Sequence, residues 1–191
     1  MTILGRRHAL LGLSATLAGC VSTDGPAAVT QSNADASYQQ KLRRVVVAIS
    51  AHSDKATKVE NRAFLRVEEL KQSFEAKWPA IGIAIDVISL DGVADRDQAI
   101  LDADVRFRAG QWLTLQPSWM RTLAPEAVKE YGIAASLFDA ATKKRIWRAE
   151  TAMKDFWRFS GFDLVIKMGR QTAADHYVDS LTEKLRADGL I

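Results

Sequence analysis

Val45-Val46-Val47-Ala48-Ile49, followed after a helical stretch by the alternation Ile81, Ile83, Ile85, Val87, decides how this chain folds. The first run is apolar without a polar break and suits a strand buried on both faces. The second alternates strictly with small or polar residues, the mark of a half-buried strand running to about Leu90. Between them Ala63, Phe64, Val67, Leu70, Phe74 and Trp78 recur at spacings of three and four. This predicts a helix from about Val59 to Lys77, ended by Pro79. A strand–helix–strand crossover of this kind makes its two strands parallel.

Toward the C-terminus, Val105, Phe107 and Ala109 alternate with Arg106 and Arg108, which predicts a third strand continuing through Trp112 and Leu115 until Pro117. Residues 117–130 contain two prolines and mixed polarity and read as a loop with one helical turn after Pro125. Ile133 to Phe138 and Arg145 to Thr151, joined by the polar stretch 139–144, form the clearest hairpin in the chain. Asp163 is placed to cap a last helix to about Ala187, with Leu164, Met168, Ala174, Val178, Leu181 and Leu185 on one stripe. The order β-α-β-β-β-β-α predicts an α+β two-layer sandwich, two helices on a mixed sheet of four to five strands.

Toward the N-terminus, residues 21–40 hold Ser, Thr, Asp, Gly, Pro, Gln, Asn and Ala, with Tyr38 as the one bulky group. Such a composition buries too little apolar surface to offset ordering and reads as a flexible tether. Ahead of it, Arg6 and Arg7 precede an apolar run, Ala9 to Ala18, too short to span a bilayer. The run closes on Leu17-Ala18-Gly19-Cys20, and Cys20 is the only cysteine in the chain. The domain therefore folds without an internal disulfide.

This leader resembles that of a bacterial lipoprotein precursor. The resemblance implies a signal peptide over residues 1–19, with Leu17, Ala18 and Gly19 as lipobox and Cys20 as the lipidated residue. A tether over 20–40 and one globular α/β domain over 41–191 complete the expected organisation. Arg6-Arg7 followed by Leu10 also resembles a twin-arginine export signal, although Ala9 replaces the usual Phe; a basic n-region for general secretion fits equally. Val21, where Asp would favour inner-membrane retention, leans towards the outer membrane. The expected location is the periplasmic face of the envelope, with the lipid on Cys20 as the membrane anchor. The hairpin Leu137 to Glu150, with Asp139-Ala140-Ala141-Thr142 and Trp147, resembles small periplasmic lipoprotein domains of the lipopolysaccharide-assembly, curli-secretion and TolB N-terminal types.

Charge excludes one class of partner. The chain has 26 basic and 23 acidic residues. With Arg6 and Arg7 lost in a leader, the mature chain is nearly neutral, which gives no electrostatic case for nucleic acid. Motifs for chemistry are equally sparse. His52 and His176 lack metal-ligand spacing and read as ordinary surface or packing residues. There is no G-x-S-x-G elbow and no glycine-rich phosphate loop. The carboxylates Asp91, Asp95, Asp97, Asp102 and Asp104 read as a solvated loop with a capped helical turn.

What stands out is the interleaving of arginine with tryptophan: Arg106, Arg108 and Trp112; Trp119 and Arg121; Arg145, Trp147 and Arg148; Trp157 and Arg158. If Arg106, Arg108, Trp112, Arg145, Trp147 and Arg148 shared an open sheet face, they could grip a glycolipid or an acidic partner by forked hydrogen bonds and stacking. The competing reading puts the tryptophans in the core and pairs the arginines with nearby acids. The sequence therefore points to a non-enzymatic envelope lipoprotein, without metal or cofactor, that binds a partner protein or envelope component. Two alternatives stand beside it: lipid or lipopolysaccharide handling through the Arg/Trp surface, and hydrolysis by dispersed carboxylates.

Overall fold

The computed structural model describes residues 27–52, 65–124, 127–154, 157–160, 163–166 and 169–191. The leader residues Arg6, Arg7, Leu17, Ala18, Gly19 and Cys20 lie outside these, as do residues 59–64 of the expected first helix. The strands are β1 (Ala27–Ala34), β2 (Arg44–Ile49), β3 (Ala84–Ser89), β4 (Gln111–Ala124), β5 (Ala127–Asp139), β6 (Arg145–Lys154), β7 (Trp157–Ser160) and β8 (Asp163–Ile166). The helices are α1 (Val67–Lys77), α2 (Arg96–Phe107) and α3 (Arg170–Ala187). Six strands form one mixed sheet in the order β1-β6-β5-β4-β2-β3, and β7 pairs with β8 in a separate ribbon. The α+β class stands; among the described residues there are three α-helices against the two expected and six strands in the main sheet against four to five.

The opening valine run occupies β2 at the heart of the parallel half. Val45, Val47 and Ile49 join the main core, while Val46 and Ala48 join a second cluster on the other face. β2 runs parallel to β3, as the crossover predicts, and parallel to β4 as well. On the main face α1 and α3 pack together, burying Leu70 and Phe74 from one and Tyr177, Val178, Leu181 and Leu185 from the other. Trp78, directly after α1, meets the Phe74 ring edge-on at 4.8 Å and donates its indole N–H to Thr182 Oγ1 at 3.0 Å. On the opposite face α2 brings Ile100 and Ala103 against Val46, Ala48 and Trp112.

Four segments depart from expectation. Residues 105–109 are not a strand. Asp95 caps a helix there by accepting from the Gln98 N–H at 2.9 Å, and Ile100 and Ala103 supply its buried stripe. Val105, whose alternation suggested a strand, is 77% exposed. The helix stops where Arg108 turns left-handed at φ 52°.

Residues 117–130 are mostly strand. β2 pairs with β4 only as far as Leu115, so beyond that point Pro117 meets no ladder on that side. The pairing with β5 continues through bulges at Pro117/Trp119, Arg121/Thr122 and Thr122/Ala124. Asp163 lies in β8, and α3 starts later, with Gly169 at its N-cap.

The distal tether is also structured. Residues 27–34 form β1, antiparallel to β6 from Ala27↔Met153 to Ala34↔Trp147. An edge strand needs backbone partners more than apolar side chains, which is why a polar sequence can hold it. Tyr38 packs against the main core, accepts from Gln111 Nε2 at 2.8 Å and donates to Asp139 Oδ2 at 3.4 Å.

The β5–β6 hairpin matches expectation. Asp139 Oδ1 accepts from both the N–H and the hydroxyl of Thr142 at 2.7 Å, closing the turn before Lys143 adopts φ 57°. The side-chain hydrogen bond from Thr142 holds the Asp139 carboxyl below the usual aspartate range.

Candidate functional site

The arginines and tryptophans singled out in the sequence are dispersed over three places. Arg106, in the last turn of α2, reaches back to Asp86 Oδ2 on β3 at 2.7 Å. Arg108 is the exposed C-cap of that helix, and its carbonyl accepts from Arg44 Nε at 3.2 Å. Trp112 is buried under α2 and stacks on Phe138 with centroids 5.8 Å apart.

Trp147 is buried in the main core on the opposite face. Its indole N–H donates to Asp188 Oδ2 at 2.7 Å, which also accepts from the Ser32 hydroxyl at 2.8 Å. Burial alone would raise the Asp188 carboxyl, but hydrogen bonds from Lys184, Trp147 and Ser32 outweigh it and hold it below the ordinary range. Arg145 stands exposed at the start of β6. A continuous Arg/Trp face is therefore not assembled. The tryptophans at 112 and 147 are core residues, and Arg106 is paired. The side chains of Trp157 and Arg158 lie outside the described residues.

Arg148 borders a cleft. Antiparallel pairing sets Gln31 beside Glu150 and Asn33 beside Arg148, and β5 sets Ala134 and Ser136 beside Glu150 and Arg148. These residues share the face opposite the main core. Gln31, Ser32, Asn33, Arg148, Ala149 and Glu150 line a cleft of about 360 Å³.

Glu150 is only 7% exposed, although no cation contacts it among the described residues; its Oε1 accepts from the Ser118 hydroxyl. A carboxylate this buried ordinarily has a cationic or multiple hydrogen-bonding partner. Trp119, 37% exposed, lies over Gly132, and a methyl group at that position would overlap both the indole and Glu150 Oε1. Glycine at 132 is what leaves room for the indole and the carboxylate. The sequence signal was faint: one glutamate inside the apolar hairpin strand, and one glycine before Ile133.

A second polar cluster closes the carboxyl ends of the parallel strands. Asp91 Oδ1 accepts from the N–H groups of Ala51 and His52 at 3.0 and 3.2 Å, and its Oδ2 lies 2.8 Å from His52 Nδ1. The arrangement clamps the chain leaving β2 to the end of β3. The other carboxylates of that stretch behave as a capped helix start: Asp95 caps α2, and Asp102 accepts from Gln98 Nε2 at 2.6 Å. Among the described residues no three His, Cys, Asp or Glu side chains gather as a metal site.

No family model matches the sequence, and no curated protein matches it. Similarity appears among solved structures. A PelC dodecamer from Paraburkholderia phytofirmans has a TM-score of 0.47 at 15% identity, covering 82% of this chain and 95% of that one. Lipoprotein GNA1162 from Neisseria meningitidis has a TM-score of 0.41 at 10% identity, covering 76% and 99%. Protein XCC0632 from Xanthomonas campestris, of family DUF330, has a TM-score of 0.41 at 14% identity, covering 85% and 93%. One of these neighbours is thus itself a lipoprotein.

Proposed function

We propose that this chain is an envelope lipoprotein, lipidated at Cys20 and held at the periplasmic face of a membrane, whose domain binds a partner protein or envelope component without catalysing a reaction. The observation that carries the reading is Leu17-Ala18-Gly19-Cys20 at the end of a short apolar run behind Arg6 and Arg7. Several acyl chains at one cysteine hold far more firmly than a single chain, at about 0.8 kcal/mol per buried methylene. Val21 favours the outer membrane.

The cleft bordered by Glu150 and Arg148 supports the binding half of the proposal. It offers a buried carboxylate, an exposed guanidinium and the amides of Gln31 and Asn33. Glycoside cleavage would need two facing acids, and here Glu150 faces Arg148 and two amides. Two experiments test the proposal. Cys20→Ser abolishes palmitate labelling and membrane fractionation, and unchanged labelling refutes the anchor. Asn33→Ala with Arg148→Ala lowers envelope cross-linking through a photo-reactive group at Gln31, with the fold intact by circular dichroism. Undiminished cross-linking refutes the cleft as the binding surface.

A further inference from the structure

We infer that the domain rests on its anchoring membrane through one defined end of the sheet, the corner carrying Trp119, Met120, Arg121 and Lys154. The inference depends on the Cys20 anchor proposed above. It follows from the length of chain between the anchor and the fold. With β1 beginning at Ala27, only residues 21–26 separate Cys20 from the sheet. Seven residue steps reach at most about 24 Å when fully extended.

Ala27 pairs with Met153, Met153 with Tyr131 and Tyr131 with Met120, so the anchor enters on one row across four strands. From that row β5 runs on to Asp139, a further 26 Å or so at about 3.3 Å per residue, before the turn with Lys143 and Lys144. A linker of that reach is too short to lay the Lys143 turn on the bilayer and still return to Ala27. The entry row and whatever projects beyond it face the membrane.

Among the described residues beyond this row are the last of β4. Past the row come Arg121, paired with Glu130, and then Thr122 to Ala124, about 13 Å of further strand at about 3.3 Å per residue. Side chains suited to a headgroup layer stand at this corner. Trp119 is partly exposed, the Arg121 side chain is 68% exposed, and Lys154 is exposed beside Glu130 on β6. A partly exposed indole and cations on apolar stems sit favourably at a lipid–water boundary. The occupant of this surface is thus the headgroup layer of the bilayer holding the acyl chains. The Glu150 cleft opens three residues along β6 from the entry row, on the flank of the domain.

The test uses the full-length lipidated protein in vesicles of phosphatidylethanolamine and phosphatidylglycerol carrying a headgroup-spin-labelled lipid. Cys20 is the sole native cysteine and is blocked by its thioether, so Arg121→Cys, Lys154→Cys and Lys143→Cys each take a fluorophore at one place. The expected result is strong loss of fluorescence at 121 and 154 and almost none at 143. Equal quenching at all three, or stronger quenching at 143, in protein that floats with the vesicles overturns the orientation alone. Protein that does not float overturns the anchor, and the orientation with it.

Discussion

The two halves of the sheet are built by different rules. In the parallel half β2 has helices on both faces, α1 and α3 on one and α2 on the other, and its sequence is correspondingly unbroken: Val45-Val46-Val47-Ala48-Ile49. In the antiparallel half α3 lies against β1 and β6 on one face, while the other carries Trp119, Ser136, Arg148 and Glu150. Strands there alternate, and polar residues are admitted. The difference teaches where a binding surface can exist. A face sealed by a packed helix is committed to stability, and a face left open is free for recognition.

The strongest way to break the comparison is to place a charge on the same sheet face in each half. Val46→Asp puts an unpaired carboxylate under α2 and should cost about 3–5 kcal/mol or abolish folding. Ser136→Asp, in the antiparallel half, should cost about 1 kcal/mol or less. Urea denaturation of both variants checks this, and equal losses would remove the distinction.

Gly132→Ala comes next. Crowding against Trp119 and Glu150 should cost about 1–3 kcal/mol and shift the tryptophan emission of the native state, read by fluorescence-monitored unfolding.

Asp188→Asn tests the polar link beneath Trp147. The folded carboxyl lies below its ordinary value of 3.8, so its contribution is fully present above that pH and is lost as pH falls through the folded value. The variant should lose about 1–2 kcal/mol near neutrality, and its melting temperature should fall less than wild type's on acidification below pH 3.8. The smallest effect belongs to Arg106→Ala. Its partner Asp86 is reached by a largely exposed guanidinium, and such pairs contribute about 0–1 kcal/mol, measurable as a small change in denaturation midpoint.

Much of the parallel half was legible because burial on both faces leaves one reading for a valine run. The β5–β6 hairpin was legible because Asp139 and Thr142 close a turn that sequence alone signals. The illegible segments were those where two periods coexist or where no side chain decides. Residues 99–107 satisfy both a helical stripe through Ile100 and Ala103 and an alternation through Val105 and Phe107; the Asp95 cap and the contact with Val46 and Ala48 select the helix. β1 holds almost no apolar signal because its energy lies in backbone pairing to β6. The cleft was hidden for the same reason: Gln31 and Asn33 reach Glu150 and Arg148 only through that unseen pairing.

β1 therefore links the proposed anchor, the cleft and the sheet, and amide hydrogen exchange over residues 27–34 tests the account most directly. Protection of this segment approaching that of β6 is the predicted result. Exchange across 27–34 as fast as in a free peptide would contradict it, restoring a long tether, emptying the cleft of Gln31 and Asn33, and removing the basis of the proposed orientation.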